Sequence, residues 1–365
     1  MTIYLNASSH GLPSGETLQR MRRHLELEAE IGPLAAGDRV KDELTDIRAN
    51  AAALIGAAPD RVGFASTTFA TWLSIVARLQ IAGKRLLVAP HEWGENVAAL
   101  QVLAGNAGAR IEILPGLDFA APDLAPWQAR IDDDVAAIFV PMVTSVSGHR
   151  YPVEAIGALP RPEPCKLVVD AAQALGQTEI DVSALGCDAL VATCRKWLRG
   201  PRGTALFWLA PAADGALRVA EIEPFDANLS LRLGLGAAIA EAGQRSVVEI
   251  ERQIGRLTAH AYKRARALGL DTLTGEAPRT GALCLGVPSE RAAALRAALA
   301  DADCHVKWPD VETDEPRASD RPAHLEAMRI APHVYNAIPE IDALFDTVSL
   351  ALKTPASPPL AAAGD

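Results

Sequence analysis

Lysine is scarce in this chain: seven lysines stand against 28 arginines. A lysine at a special position therefore suggests a use for its amine, because arginine supplies positive charge everywhere else. Aromatic residues make up 5% of the sequence, and the formal net charge is −10 with no Lys/Arg run. That balance speaks against a nucleic-acid partner. No apolar run approaches the roughly 20 residues that a bilayer-spanning helix needs, so no membrane segment is expected. The five cysteines, Cys165, Cys187, Cys194, Cys284 and Cys304, are odd in number, scattered, and form no CxxC. This spacing argues against a zinc cluster and points to a reducing, cytoplasmic setting. The opening "MTIYLNASSHGLPSG" lacks a basic stretch followed by an apolar one, which predicts a chain without a secretory signal. No HExxH or other paired metal spacing occurs among the histidines, so no metal is expected. There is no GxxxxGK[ST], which excludes a P-loop. "GLGAAIA", at Gly234 and Gly236, follows no strand and lacks the third glycine of a dinucleotide fingerprint, so helix packing explains it better.

The sequence does hold enough apolar material, 49% of 365 residues, for about two domains. Seven short apolar runs follow one another: "RVGFA", "RLLVAP", "RIEILP", "AAIFVPMV", "KLVVD", "ALVATC" and "ALFWLA". They do not alternate with polar residues, and helix-like stretches separate several of them. That pattern predicts an α/β fold in which a mostly parallel seven-stranded sheet lies between helices. Residues 15–57 show helical periodicity, and from about residue 232 a long helical span follows. The sequence closes in a smaller α+β region. The expected division is a large domain over 18–245 and a small domain over 1–17 plus 246–353. The Pro/Ala-rich residues 354–365 are expected to form a disordered tail.

Polar groups fall where these strands end, which is where open α/β sheets bind ligands. Asp170 closes "KLVVD". It could stabilise a protonated pyridine nitrogen, or cap a helix beginning "AAQAL"; both roles can hold. Ser66, Thr67 and Thr68 follow "RVGFA" at a helix start and offer hydroxyls and backbone N–H groups to a phosphate, or simply cap that helix. Lys196 follows "ALVATC". Burial and the adjacent Arg195 would depress its pKa, leaving a neutral amine able to capture an aldehyde. Arg195 itself could grip phosphate. In "PHEWGENVAAL", Trp93 or His91 could stack on a flat cofactor, although Trp93 in the core is the plainer reading of that residue alone. Together these are the parts needed to hold pyridoxal 5'-phosphate.

The long stretch "LVVDAAQALGQTEIDVSALGCDALVATCRKWLRGPRGTALFW" carries Asp-Ala-x-Gln, then a lysine, then Gly-Pro-x-Gly. With "IYLNASSHGLP" before it and "MRIAPHVYNAIPEID" after it, the chain resembles the class V aminotransferase family of pyridoxal-phosphate enzymes of fold type I. Cysteine desulfurases, kynureninases, isopenicillin N epimerase-like proteins and hercynylcysteine sulfoxide lyases belong to this group. The resemblance implies that Lys196 forms the Schiff base, Asp170 pairs with the ring nitrogen and Gln173 bonds the ring's phenolic oxygen. It places Ser66, Thr67, Thr68, Thr193 and Arg195 at the phosphate, and Trp93 on the ring face. Arg329 would clamp a substrate carboxylate, with Asn6, His10 and Ser145 near the substrate. A homodimer with shared active sites is implied, "EPFDANLS" being the donor segment.

Three departures narrow the resemblance. "PDVETDEPRASDRPAH" has no cysteine where desulfurases carry one, which speaks against a desulfurase. Ser145 stands where many relatives have asparagine. Arg195 replaces the histidine that precedes the lysine in desulfurases, which points to the epimerase-like branch. The expected activity is therefore chemistry at Cα of an amino acid, with transamination as the default. The alternatives are a β-eliminating C–S lyase on a cysteine-type substrate and an epimerase. An epimerase would need a second base, for which His10 and Cys194 are candidates.

Overall fold

In the computed structural model, residues 2–211, 217–275, 280–317 and 324–353 are described; the expected tail, 354–365, lies outside them. The strands in chain order are β1 (Ile3–Tyr4), β2 (Val62–Ala65), β3 (Arg85–Val88), β4 (Arg110–Ile113), β5 (Val135–Pro141), β6 (Lys166–Asp170), β7 (Ala189–Thr193), β8 (Ala205–Leu209), β9 (Asp271–Thr272), β10 (Leu283–Pro288), β11 (Cys304–His305) and β12 (Leu325–Ile330). The seven apolar runs form one sheet in the order β2-β8-β7-β6-β5-β3-β4. Neighbours from β7 through β4 are parallel, while β8 is antiparallel to both β7 and β2. Six strands thus point one way, and their carboxyl ends gather on one edge.

The unbroken apolar runs are explained by burial on both faces. Successive side chains alternate between two cores. Leu167 and Val169 of β6 join Leu190 and Ala192 of β7 on one side. Val168, Ala189 and Val191 face the other side, with Phe139 of β5 and Phe207 of β8. The helices Thr68–Val76 and Gly94–Ala107 cover this second core through Trp72, Ile75 and Leu100. The helices Lys41–Leu54 and Leu229–Arg245 cover the first through Ile47, Leu233 and Ile239.

A separate core forms where β9, β10 and β12 make an antiparallel sheet. The helices Val247–Ala267, Ser289–Asp301 and Ile338–Lys353 pack on it. Ile3 and Leu5 join this core, and β1 pairs in parallel with β11, Ile3 opposite Cys304. The first residues of the chain are thereby fastened to its last third.

Two local expectations change. The long helical span beginning near residue 232 is two helices, broken at Ser246, whose φ of 67° lies in the left-handed region. No helix starts after Asp170. The segment "AAQALG" makes tight turns instead, and Asp170 caps them by accepting the Ala172 N–H at 2.7 Å. Gly176 ends these turns at φ +93°, with the backbone of Trp197 and Leu198 so close that a Cβ would lie 2.4 Å from the Leu198 nitrogen. A side chain there meets both backbone strain and a rigid neighbour. Gly176→Ala should destabilise the fold by about 2 kcal/mol or more. Gly255→Ala, mid-helix with open space around it, should stabilise by about 0.5–1 kcal/mol. Denaturant unfolding of both variants checks the contrast, and equal effects would contradict it.

Candidate active site

β6 and β7 are neighbours in parallel register, with Asp170 opposite Val191. β7 runs on to Thr193 and the chain then turns, so Lys196 arrives at the same sheet edge as Asp170. The turn is fixed from several sides. The Trp197 indole N–H donates to Gln173 Oε1 at 2.9 Å, and His333 Nε2 bonds the Trp197 carbonyl at 2.8 Å. The Gly11 N–H donates to the Arg195 carbonyl at 2.8 Å. These contacts frame a cleft of about 620 Å³.

Ser66, Thr67, Thr68, Trp93, Ser145, Asp170, Gln173, Thr193, Arg195, Lys196, Arg329 and His10 all line the cleft, as does His91. Thr67 caps the helix Thr68–Val76 by accepting the Ala70 N–H at 3.0 Å, and the buried Thr68 hydroxyl has no partner among the described residues. The Trp93 ring faces Lys196, whose Nζ stands 6.0 Å from the ring centroid. His91 sits deeper and bonds the Tyr151 hydroxyl through Nδ1 at 2.7 Å. Gln173 has its orientation set by Trp197, and its amide donates to the Ser8 carbonyl at 3.1 Å. Arg329 is buried, yet neutral oxygens meet it. It donates to the Ser145 carbonyl and, at 3.1 Å, to the Ser9 hydroxyl, and its Nε has no partner among the described residues.

The electrostatics follow from this enclosure. Burial, reinforced by Arg195, pushes Lys196 down to about 7, although Asp170 pulls the other way. Its amine is therefore substantially neutral near pH 7. Burial raises Asp170, while the Ala172 N–H and Lys196 favour its charged form. His10 is held down to about 4 by burial and by Arg195, Arg202 and Lys196, so it is a neutral imidazole at the cleft wall.

Two sequence expectations do not reach the cleft. Asn6 forms a bridge with Ala331, and its carbonyl accepts the Ser9 and His10 N–H groups. It shapes the turn that sends Ser8 and Ser9 inward. Cys194 points into the core rather than the cleft, and burial pushes its thiol up to about 12, which removes it as a base. The sequence reading missed Ser8, Ser9, Glu92, Asn96, Arg202, Lys307 and Asp314. Ser8, Ser9, Asn96, Arg202, Lys307 and Asp314 line the cleft, while Glu92 is buried behind Asn96. Asn96 and Arg202 lie within motifs already singled out, "PHEWGENVAAL" and Gly-Pro-Arg-Gly. Lys307 and Asp314 carry no local signal, because only the β11–β12 end of the fold brings them here.

Curated relatives match part of the chain. A cysteine desulfurase from Klebsiella pneumoniae is 26% identical over 234 residues, which is 58% of this chain and 57% of that protein. A probable hercynylcysteine sulfoxide lyase from Mycobacterium tuberculosis is 28% identical over 256 residues, 66% of this chain and 62% of its own. The chain thus spans about three fifths of the length of these relatives. Among solved structures, an apo cysteine desulfurase from Thermococcus onnurineus superposes with a TM-score of 0.84 at 20% identity, covering 96% of this chain and 95% of that one. A cystine C–S lyase bound to cysteine persulfide gives 0.84 at 17% identity, covering 95% and 97%. These likenesses show the fold. The aminotransferase class-V family model matches residues 14–223, which is more than half of the sequence and includes the strand ends that carry Asp170 and Lys196; the chain belongs to the class-V aminotransferase family.

Proposed function

We propose that the protein is a pyridoxal-phosphate enzyme acting at Cα of an amino acid, with transamination as its default reaction. The observation that carries this reading is the pairing of a buried carboxylate, Asp170, with a depressed amine, Lys196, across one cleft. The residues present fit the cofactor. The unpartnered Thr68 hydroxyl and the helix start at Ser66–Thr68 suit its phosphate, with Arg195 and Thr193 beside them. Asp170 suits the ring nitrogen, Trp93 the ring face, and Gln173 the phenolic oxygen. Bound there, pyridoxal phosphate supplies an electron sink for a substrate attached through its amino group.

The chain's own residues do the rest. Arg329 holds the substrate carboxylate by charge-assisted hydrogen bonds, exchanging its Ser145 and Ser9 contacts for them. Ser145 and His10 stand at that end of the cleft. Lys196, neutral near pH 7, takes the proton from Cα as general base. Asp170 keeps a proton on the ring nitrogen by offering it a negative charge. Trp93 covers one side and limits water.

The cleft lies where the proposed large unit, 18–245, meets the small one, 1–17 plus 246–353. The proposed assembly is a homodimer. Phe225 of "EPFDANLS" is fully exposed and Leu34 nearly so, a surface suited to a second copy. No helix among the described residues is long and apolar enough to cross a membrane, in keeping with a proposed cytoplasmic location.

A second reading is β-elimination from a cysteine-type substrate. The names of the relatives and of the C–S lyase structure favour it. All five cysteines are buried and none lines the cleft, so a desulfurase that passes sulfur to its own cysteine fits less well. A β-eliminating enzyme releases a keto acid and ammonia without a co-substrate, whereas transamination requires a keto-acid acceptor.

Incubation of the apoprotein with pyridoxal phosphate should give an absorbance band at about 420 nm and, after borohydride reduction, a covalent adduct at Lys196. Lys196→Ala should lose both, and an adduct retained in that variant would overturn the assignment. Because the free amine is pushed down to about 7, the rate of cofactor uptake should rise with pH and flatten above about 7. A midpoint left near the ordinary lysine value would contradict it. Arg329→Ala should raise KM for an α-carboxylate substrate by about 2 kcal/mol, or roughly thirtyfold, with a smaller effect on kcat. Steady-state kinetics on one amino acid and its amide checks this; an unchanged KM would refute the clamp.

A further inference from the structure

Glu92 is a carboxyl beside the site that the chemistry above does not use. It lies just past β3 and is 1% exposed. Its Oε1 accepts the Trp93 N–H at 3.1 Å and the Asn96 amide at 2.8 Å, while its Oε2 is buried with no partner among the described residues. Asn96 is equally buried. It sits on the first turn of the helix Gly94–Ala107, and its Nδ2 also donates to Asp170 Oδ2 at 3.2 Å. The two N–H groups of one amide thus bridge two carboxyl groups brought in from different strand ends.

An amide offsets little of the cost of two buried negative charges, so one carboxyl keeps its proton. Asp170 has the stronger claim on the charge, because it accepts the Ala172 N–H at 2.7 Å and lies within the field of Lys196. Glu92 is bonded by neutral donors. The titratable groups that face it are Asp170, from the end of β6, and Glu315, from the segment after the helix Val311–Asp314; both are acidic. Burial, then Asp170, pushes Glu92 up to about 8.

We propose that Glu92 is a positioning residue: it stays protonated in the core and holds the Asn96 amide so that one N–H points at Asp170, leaving Asp170 as the single negative charge available to the ring nitrogen. This rests on the cofactor reading above. The acid's proton affinity is raised on folding, so its contribution to stability is fully present below about 4.5 and is lost as pH rises through about 8.

The test compares wild type with Glu92→Gln, which keeps the carbonyl acceptor and cannot ionise. Melting of the apoproteins is followed from about pH 6 to 9, and the dissociation constant for pyridoxal phosphate is measured near pH 7. The variant should bind the cofactor within about threefold of wild type and lose less Tm as pH rises. Asn96→Ala should weaken cofactor binding by about tenfold, since Asp170 then loses a donor. Cofactor binding weakened about tenfold or more by Glu92→Gln, or parallel melting profiles, would overturn the proposal. A wild type that takes up no pyridoxal phosphate would instead defeat the cofactor reading, while the melting comparison would still judge the state of Glu92.

Discussion

The adjacency of β6 and β7 governs this structure. A parallel pair evenly bonded from Val168 to Asp170 delivers a carboxylate and, a few residues beyond the neighbouring strand, an amine to the same edge. Neither group is free to wander. The turns after Asp170 press against the backbone after Lys196 at Gly176, where only a glycine fits, and the Gln173–Trp197 bond ties the two segments together. A carboxyl group and an amine pushed down to about 7 line one cleft, each held by its own scaffold. Had they collapsed into a direct ion pair, the amine would be fully charged and of little use as a base.

Polar groups reach the cleft from distant parts of the chain. The sheet supplies the floor through the ends of β2, β3, β5, β6 and β7. The segment after β1 contributes Ser8 and Ser9, and β12 contributes Arg329. This mixed origin sets the bonding of Arg329: among the described residues its side-chain hydrogen bonds run to the loop after β5 and to the N-terminal segment, while Asp314 and Glu315 favour its charge from nearby. A buried cation hydrogen-bonded, among the described residues, to neutral oxygens is well prepared for an anionic ligand, because part of the burial penalty is already met by folding.

Much of the fold was legible from sequence because the sheet is buried on both sides. Runs such as "AAIFVPMV" and "KLVVD" have no other reading of comparable simplicity, and polar residues that stop such runs mark the cleft edge. Legibility failed where tertiary contacts override local signals. "AAQALG" has good helix formers, but its backbone is held in tight turns by Asp170 and by the chain after Lys196. The break at Ser246 depends on a single left-handed residue. Asn6, expected near the substrate, lies in a turn outside the cleft lining, while the adjacent serines reach inward. Glu92 precedes a helix and Asn96 lies on its first turn, positions with no signal of their own; only the proximity of β6 reveals what they face. Lys307 joins the cleft through its bridge with Arg329, and Asp314 at the end of a short helix, placements that no local pattern encodes.

The parallel pairing of β1 with β11 has a consequence for biosynthesis. β1 finds its partner only when Cys304–His305 emerges from the ribosome, long after the central sheet could have assembled. Until then Ser8, Ser9 and Gly11 are held only by their bonds to Gln173 and Arg195, without the β1–β11 pairing behind them. That support, like Lys307, Asp314 and Arg329 in the cleft lining, comes from the last third of the chain, so a nascent chain passes through a stage with a formed sheet and an unfinished cleft.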